Sequence, residues 1–269
     1  MHVHTIKKDN DRFWGDTMDI VWLTALGVGG ATVVGAAIGF CFKRISHRFS
    51  DIVLAFAAGV MLAAAIVGLI LPSLSYGGGE AFWITLLGIF GGAVFLFLLD
   101  KLVPHLHKMA DGDREAHHER QERLGKVFLF VFAIALHNLP EGIAAGVAFG
   151  TGNTAEAFTV AFGIALQNIP EGMVIIAPML AAGVSARRTF LIAAGTGLIE
   201  VVGTVLGYFA VSLSAAILPF ALAFAGGTML YVISDEMIPE THAHGVERGA
   251  TFALLFGFAL MLGVDHYLG

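Results

Sequence analysis

A nine-residue string occurs twice in this chain, and each copy places ionisable side chains inside a long apolar segment. The first copy is Ile-Ala-Leu-His-Asn-Leu-Pro-Glu-Gly at 134–142, and the second is Ile-Ala-Leu-Gln-Asn-Ile-Pro-Glu-Gly at 164–172. A carboxylate in the interior of a bilayer costs about 3 kcal/mol or more. Glu141 and Glu171 therefore require a partner, and His137, four residues before Glu141, indicates that this partner is a metal ion.

The composition is that of a helical membrane protein. Hydrophobic residues make up 57% of the chain and charged residues 13%, against about 25% charged in a typical soluble domain. Long apolar runs rich in Gly and Ala predict an all-α, polytopic membrane fold. The single cysteine, Cys41, excludes an intramolecular disulfide and a Cys-based zinc cluster, and the lack of a concentrated basic face argues against nucleic-acid binding.

Eight apolar segments are long enough to cross a bilayer as helices. They cover residues 18–42, 51–74, 81–104, 125–150, 156–181, 187–211, 216–239 and 248–267. We expect a single transmembrane domain over 1–269, with short connections except for a charged loop at 105–124. That loop contains His105, His107, His117 and His118.

Basic residues set the expected orientation, because Lys and Arg accumulate in cytoplasmic loops. With the N-terminus outside, the loops that face the cytoplasm contain most of the 15 basic residues: Lys43, Arg44, Arg48, Lys101, Lys108, Arg114, Arg120, Arg123, Lys126, Arg187, Arg188 and Arg248. This distribution predicts that both termini are extracytoplasmic and that the loop at 105–124 is cytoplasmic.

The two copies of the string lie near the middle of the fourth and fifth segments, which must run antiparallel. They can therefore meet about a pseudo-two-fold axis in the membrane plane, an arrangement from which transporters build midplane sites. Polar side chains three and four residues before each glutamate share or flank its helix face. The predicted donors are His137, Asn138, Glu141, Gln167, Asn168 and Glu171.

The prolines and glycines of the string allow a simpler interpretation, in which each copy is a packing kink. Pro140 and Pro170 remove a backbone hydrogen bond and bend a helix. One copy alone is compatible with that reading. Two copies in facing helices, each with a buried glutamate, favour a site, and the mixture of nitrogen and oxygen donors suits Zn²⁺ or Fe²⁺.

Further polar groups in apolar surroundings extend the candidate set. Glu200 lies midway along the sixth segment and is interpreted as part of the site, and Met61 in the second segment is either core or a thioether ligand. Weaker ligands at segment ends form either a candidate metal pathway or solvated helix ends. They are Asp100, His105, His107, Asp235, Glu236 and His242, with Asp265 near the predicted outer mouth.

These motifs resemble the signatures of the ZIP (Zrt-/Irt-like) metal transporters over essentially the whole chain. The matching strings are His-Asn-Leu-Pro-Glu-Gly at 137–142, Gln-Asn-Ile-Pro-Glu-Gly at 167–172, Gly-Leu-Ile-Glu at 197–200, Ser-Asp-Glu-Met-Ile-Pro-Glu-Thr-His at 234–242 and Ala-Ala-Gly-Val-Met-Leu-Ala-Ala at 57–64. The likeness is greatest to prokaryotic members, which implies a bacterial inner membrane. It also implies eight helices, uptake of Zn²⁺ and related ions into the cytoplasm, and homodimers.

The resemblance further implies a binuclear metal site at mid-membrane. One ion would use Met61, His137, Glu141, Gln167 and Glu171, and the second would use Asn138, residue 168, Glu171 and Glu200. Some prokaryotic relatives carry Asp where this chain has Asn168. Three ionised glutamates balance one divalent ion better than two, so we predict one tight site and one weak site.

The sequence therefore predicts a divalent metal transporter, with Zn²⁺ as the principal substrate and Fe²⁺, Mn²⁺ or Cd²⁺ as further ions. A passive cation channel would use similar residues, and saturable uptake distinguishes a carrier from it. An intramembrane metalloenzyme is the third reading. It is disfavoured because the His-Glu-x-x-His string of zinc proteases is absent, so we expect no enzymatic activity.

Overall fold

The computed structural model is built from long helices that follow the apolar segments of the sequence. It describes the backbone of residues 2–41, 46–110 and 118–269, and the side chains within those ranges except at 2–17, 102–110, 118–124, 126, 129, 130 and 133. The helices are α1 (His2–Cys41), α2 (His47–Tyr76), α3 (Ala81–Ala110), α4 (His118–Ala148), α5 (Thr154–Ala181), α6 (Ala186–Leu213), α7 (Ala215–Thr241) and α8 (Glu247–Leu268). The described residues contain no strand, so the all-α prediction is confirmed.

Polar residues mark several helix starts, because a side-chain oxygen there replaces a missing backbone acceptor. Ser46 caps α2 by accepting a hydrogen bond from the backbone N–H of Phe49 at 3.3 Å. Asn153 caps α5 by accepting from the backbone N–H of Ala155 at 3.1 Å. The preceding Gly152 has a φ of 73°, which favours glycine, so α4 and α5 are joined by a tight turn and lie antiparallel.

The outer surface of the helices is apolar. Seven of the helices are long and apolar enough to cross a membrane, judged on the described residues, and α4 is the remaining long helix. Large side chains such as Leu23, Phe82, Trp83, Leu87 and Phe90 are 60–68% exposed. Apolar surface on this scale is a lipid-facing feature, so the chain is a multi-pass membrane protein.

The helices form two groups. Helices α1, α4, α5 and α6 pack on one another and are called here the 1-4-5-6 bundle, whereas α2, α3, α7 and α8 form the 2-3-7-8 bundle. The most extensive pairings are α4 with α6, α5 with α1, α3 with α7, and α8 with α2. This pattern is unchanged when α1 is exchanged with α6, α2 with α7, α3 with α8 and α4 with α5. In each exchange the two helices are an odd number of spans apart, so they cross the membrane in opposite directions. The symmetry is therefore inverted, as predicted.

The predicted loop at 105–124 is wrong in its ends. Helix α3 continues to Ala110 and α4 begins at His118. Residues 111–117, which include His117, lie outside the described residues. Hydropathy locates where a segment leaves the lipid, but the Lys, Arg and Glu residues that follow are good helix formers and extend the helices further. The side chains of His105 and His107 also lie outside the described residues.

Two helices contain π-helical segments, at Ala64–Ile70 in α2 and at Ile233–Met237 in α7. Each segment shifts the side chains after it relative to a regular α-helix, and such segments are frequent at functional sites. The segment in α7 contains Asp235 and Glu236, so it determines where these two carboxylates project.

Candidate functional site

Both copies of the repeated string lie inside helices that continue past their prolines. Pro140 is internal to α4 and Pro170 to α5. The glycine that ends each copy is at a close helix crossing. A Cβ on Gly142 would collide with the carbonyl oxygen of Glu200 in α6, and one on Gly172 with that of Thr32 in α1. Glycine therefore lets the four backbones approach and brings their polar side chains together.

The carboxylate of Glu200 is held by three neutral donors from three helices. Its Oε1 accepts from Thr32 Oγ1 at 2.7 Å and from Asn138 Nδ2 at 2.6 Å, and its Oε2 accepts from Asn168 Nδ2 at 2.7 Å. All four side chains are at most 1% exposed. This group, called here the Glu200 network, fixes a buried carboxylate entirely within the 1-4-5-6 bundle.

Beside this network lie buried polar atoms that lack a well-aligned hydrogen bond. Both carboxylate oxygens of Glu141, and both polar atoms of the Gln167 amide, are buried and make no well-aligned hydrogen bond to a described residue, although the Gln167 amide is near enough to interact with the Glu141 carboxylate. Glu141 interacts electrostatically with Glu171 and with Glu200. Buried carboxylates without compensation are costly, and a divalent cation is the species that would neutralise several at once.

His137 lies against two carboxylates from the other bundle. Its Nε2 is 2.9 Å from Oε1 of Glu236 in α7 and 3.9 Å from Oδ1 of Asp100 in α3. At the shorter distance the two groups are in close contact without a well-aligned hydrogen bond. Among the described residues, these three form the one group of at least three His, Cys, Asp or Glu side chains with ligand atoms within 4.8 Å of one another.

One imidazole and two carboxylates are a donor set that zinc accepts, with a fourth position left for water or another ligand. Exposure to solvent increases from the imidazole to the two carboxylates, since the side chain of His137 is 7% exposed, that of Asp100 27% and that of Glu236 36%. The site thus opens along the C-terminal halves of α3 and α7. We call it the Asp100–His137–Glu236 group.

The structure distributes the predicted ligands over more than one cluster. In the described residues, His137, Glu141 and Glu171 do not converge within 4.8 Å, because the His137 ring lies with Asp100 and Glu236. Glu171 is 8% exposed and interacts electrostatically with His137. Met61 is fully buried in the hydrophobic core.

The remaining pathway candidates have different surroundings. His242 contacts protein atoms through both ring nitrogens, at 2.9 Å from the carbonyl oxygen of Ile238 and 3.2 Å from Thr251 Oγ1, which suits a structural role at the end of α7. Asp235 is exposed. Asp265 lies at the opposite end of the molecule, where Glu156 is its electrostatic neighbour.

Thr32 is the residue that the sequence interpretation missed, although a sequence signal for it exists. The segment Gly-Val-Gly-Gly-Ala-Thr-Val-Val-Gly-Ala-Ala-Ile-Gly at 27–39 repeats as Gly-Thr-Gly-Leu-Ile-Glu-Val-Val-Gly-Thr-Val-Leu-Gly at 195–207. The repeat aligns Thr32 with Glu200. The structure agrees, since the carbonyl oxygens of these two residues face Gly172 and Gly142 respectively.

A second repeat relates α2 to α7. Leu-Ala-Phe-Ala-Ala-Gly-Val-Met at 54–61 matches Leu-Ala-Phe-Ala-Gly-Gly-Thr-Met at 222–229. Its glycines occupy equivalent crossings, because a Cβ on Gly59 would collide with α8 and one on Gly227 with α3. Met61 and its counterpart Met229 are both buried. The inverted repeat therefore covers both bundles.

Comparison with known proteins decides the family. Residues 107–265 match the sequence profile described as ZIP zinc transporter. The chain belongs to the ZIP family. It is 38% identical over 253 residues to zinc transporter GufA of Myxococcus xanthus, an alignment that covers 92% of this chain and 98% of GufA.

Two further ZIP proteins show how wide the similarity is. Zinc transporter ZIPB of Bordetella bronchiseptica is 39% identical over 246 residues, covering 89% of this chain and 78% of ZIPB. Zinc transporter ZIP11 of Homo sapiens is 31% identical over 323 aligned positions, covering 89% of this chain and 94% of ZIP11. The family membership predicted from the five matching strings is confirmed.

Proposed function

We propose that this ZIP protein carries Zn²⁺ across the membrane through the buried site between its two bundles. The Asp100–His137–Glu236 group carries this proposal, because it joins a nitrogen ligand of one bundle to two carboxylates of the other. The buried carboxylate oxygens of Glu141 supply further ligands deeper in the protein. Fe²⁺, Mn²⁺ and Cd²⁺ accept similar nitrogen and oxygen donors, so we expect them to compete with Zn²⁺.

The division of contacts between the bundles supports a moving carrier. The Glu200 network lies within the 1-4-5-6 bundle, so it can travel as a unit. The contacts of His137 with Asp100 and Glu236 cross from one bundle to the other, so they must break when the bundles slide. We infer that the 1-4-5-6 bundle moves the ion and that the two carboxylates of the 2-3-7-8 bundle receive it at one end of the stroke.

The exposure of Asp100 and Glu236 supports an assignment of the open side. By the distribution of basic residues, the C-terminal ends of α3 and α7 face the cytoplasm, and both chain termini face outward. The structure is then an inward-facing state, and the ion leaves past these two carboxylates. Placement in a bacterial inner membrane, assembly as a homodimer and the absence of enzymatic activity remain predictions.

Zinc uptake by the purified protein in proteoliposomes, followed with an internal zinc-sensitive dye, tests the proposal. We expect Glu141→Ala and Glu171→Ala to abolish uptake, since each removes a carboxylate that would bind the ion. Glu80→Ala is the matched control, because Glu80 is an exposed glutamate in the turn before α3 and its loss should leave uptake unchanged.

The dependence of the uptake rate on zinc concentration distinguishes a carrier from a passive channel. A carrier gives saturable uptake, whereas a channel gives a flux that rises with concentration over the same range. Wild-type rates in both glutamate variants, with normal folding, would remove the buried carboxylates from the mechanism.

A further inference from the structure

A buried carboxylate lies at the start of α2, six residues before the matching string at 57–64. Asp51 is 3% exposed, and its Oδ1 is 3.2 Å from Nδ1 of His244 in the connection between α7 and α8. Its Oδ2 is buried and makes no hydrogen bond to a described residue. A carboxylate oxygen left in this state is costly unless an ion or a proton occupies it.

A second histidine stands next to this pair. The His47 ring stacks on the His244 ring, with centroids 5.0 Å apart and planes at 26°. His47 is four residues before Asp51 in α2, so the two side chains project from the same helix face. Two imidazoles and a carboxylate with a free oxygen are thereby collected at one place on the surface.

From this arrangement we propose that His47, Asp51 and His244 form a resident binding site for a divalent transition metal, with Zn²⁺ as the best match. Neutral imidazole nitrogens and a carboxylate oxygen are common zinc ligands, and water completes a tetrahedral shell. The site shares no residue with the Asp100–His137–Glu236 group or with the Glu200 network.

Closing the site requires a small rearrangement. The ligand atoms of the three residues are not all within 4.8 Å of one another, since the two rings are stacked. His47 is exposed and makes no hydrogen bond to a described residue, so its ring can rotate at the cost of one stacking contact. Asp51 and His244 are already in contact at 3.2 Å, and the rotation brings the His47 ring nitrogen towards them.

The location predicts what the metal does. The residues of the site lie on α2 and on the α7–α8 connection, both in the 2-3-7-8 bundle. The resident metal therefore does not move with the transported ion. Instead it joins the start of α2 to the α7–α8 connection. This connection follows the helix end that carries Glu236, and the predicted effect is a metal-dependent stabilisation of the bundle that receives the ion.

The test uses full-length protein with the transport ligands removed by His137→Ala, Glu141→Ala and Glu171→Ala together. These changes delete buried ionisable groups, so folding should be retained. We expect isothermal titration with Zn²⁺ to show one remaining ion, and Co²⁺ to give the visible absorption of a tetrahedral complex.

Substitutions at the site then locate that ion. Adding Asp51→Asn or His244→Ala should weaken it by roughly tenfold or more, since the loss of even an outer-shell partner has an effect of that size. His242→Ala is the matched control in the same connection, because the ring nitrogens of His242 already contact Ile238 and Thr251. The rise in Tm on adding Zn²⁺ should disappear with Asp51→Asn and persist with His242→Ala.

Three outcomes overturn the inference: no ion bound by the transport-ligand variant, an ion unaffected by Asp51→Asn and His244→Ala, or one lost equally with His242→Ala. Each is read by equilibrium binding, which does not require the protein to transport an ion. The result is therefore independent of whether the proposed transport function holds.

Discussion

Replacing Asn168 with Asp tests how many ions the mid-membrane site holds. Asn168 Nδ2 donates to Glu200 Oε2 at 2.7 Å and to the carbonyl oxygen of Val28 at 3.2 Å. The neutral amide therefore occupies one side of the Glu200 carboxylate, where a second ion would need an anionic ligand. Asn168→Asp removes both donated bonds and puts a second carboxylate in that place with almost no change in volume.

The charge balance gives the size of the effect. Glu141, Glu171 and Glu200 carry three negative charges when ionised, so two divalent ions leave the wild-type site with one excess positive charge. The new carboxylate cancels it, and one unit-charge interaction at about 4 Å is worth about 4 kcal/mol at an effective dielectric constant of about 20.

This energy corresponds to roughly a thousandfold in the affinity for the second ion. The measured gain should be smaller, because the metal-free variant holds two facing carboxylates and takes up a proton that the second ion must displace. We expect a gain of about tenfold or more.

The measurement is a zinc titration by calorimetry, with metal content checked by mass spectrometry. It is carried out in a His244→Ala background, so that the proposed peripheral site does not add to the count. We expect one tight ion with Asn168 present and two with Asn168→Asp. Asn168→Leu is the control, since it also removes both hydrogen bonds but supplies no ligand, and it should not gain an ion.

Two results would refute the reasoning. If the protein with Asn168 intact binds two ions of similar affinity at mid-membrane, the excess charge is not decisive. If Asn168→Asp and Asn168→Leu give the same stoichiometry, the carboxylate does not act as a ligand there.

Two further predictions concern how the site is held. Gly172→Ala places a Cβ against the carbonyl oxygen of Thr32 and should lower the free energy of unfolding, measured in detergent, by about 1–3 kcal/mol. Gly195→Ala is its control, because a Cβ there has nothing within 4 Å, and it should be neutral or stabilising in that assay. Thr32→Val removes one of three donors to Glu200 and should cost about 1.5–3 kcal/mol. Thr196→Val, which removes a hydroxyl bonded within its own helix, is its control, and equal losses in the two variants would argue against a special role for Thr32.

Features that depend on neighbouring residues were readable from the sequence. The number of spans follows from segment length and hydropathy, and the antiparallel meeting of α4 and α5 follows from the position of the two string copies. The same string identified His137, Glu141 and Glu171 as buried groups in need of compensation. The ends of α3 and α4 were not readable in this way, because polar residues continue a helix beyond the apolar stretch.

The tertiary structure decided which of these groups meet. His137 lies four residues before Glu141 on one helix face, yet its ring lies with Asp100 and Glu236, which arrive from two other helices. Likewise Thr32 becomes a partner of Glu200 because glycines let α1 and α6 approach α4 and α5, the helices that carry the repeated string. The sequence determines the chemistry available at each depth, since composition and periodicity are local. Convergence of donors depends on helix crossings and on the π-helical segment in α7, which are set by packing between segments distant in the chain.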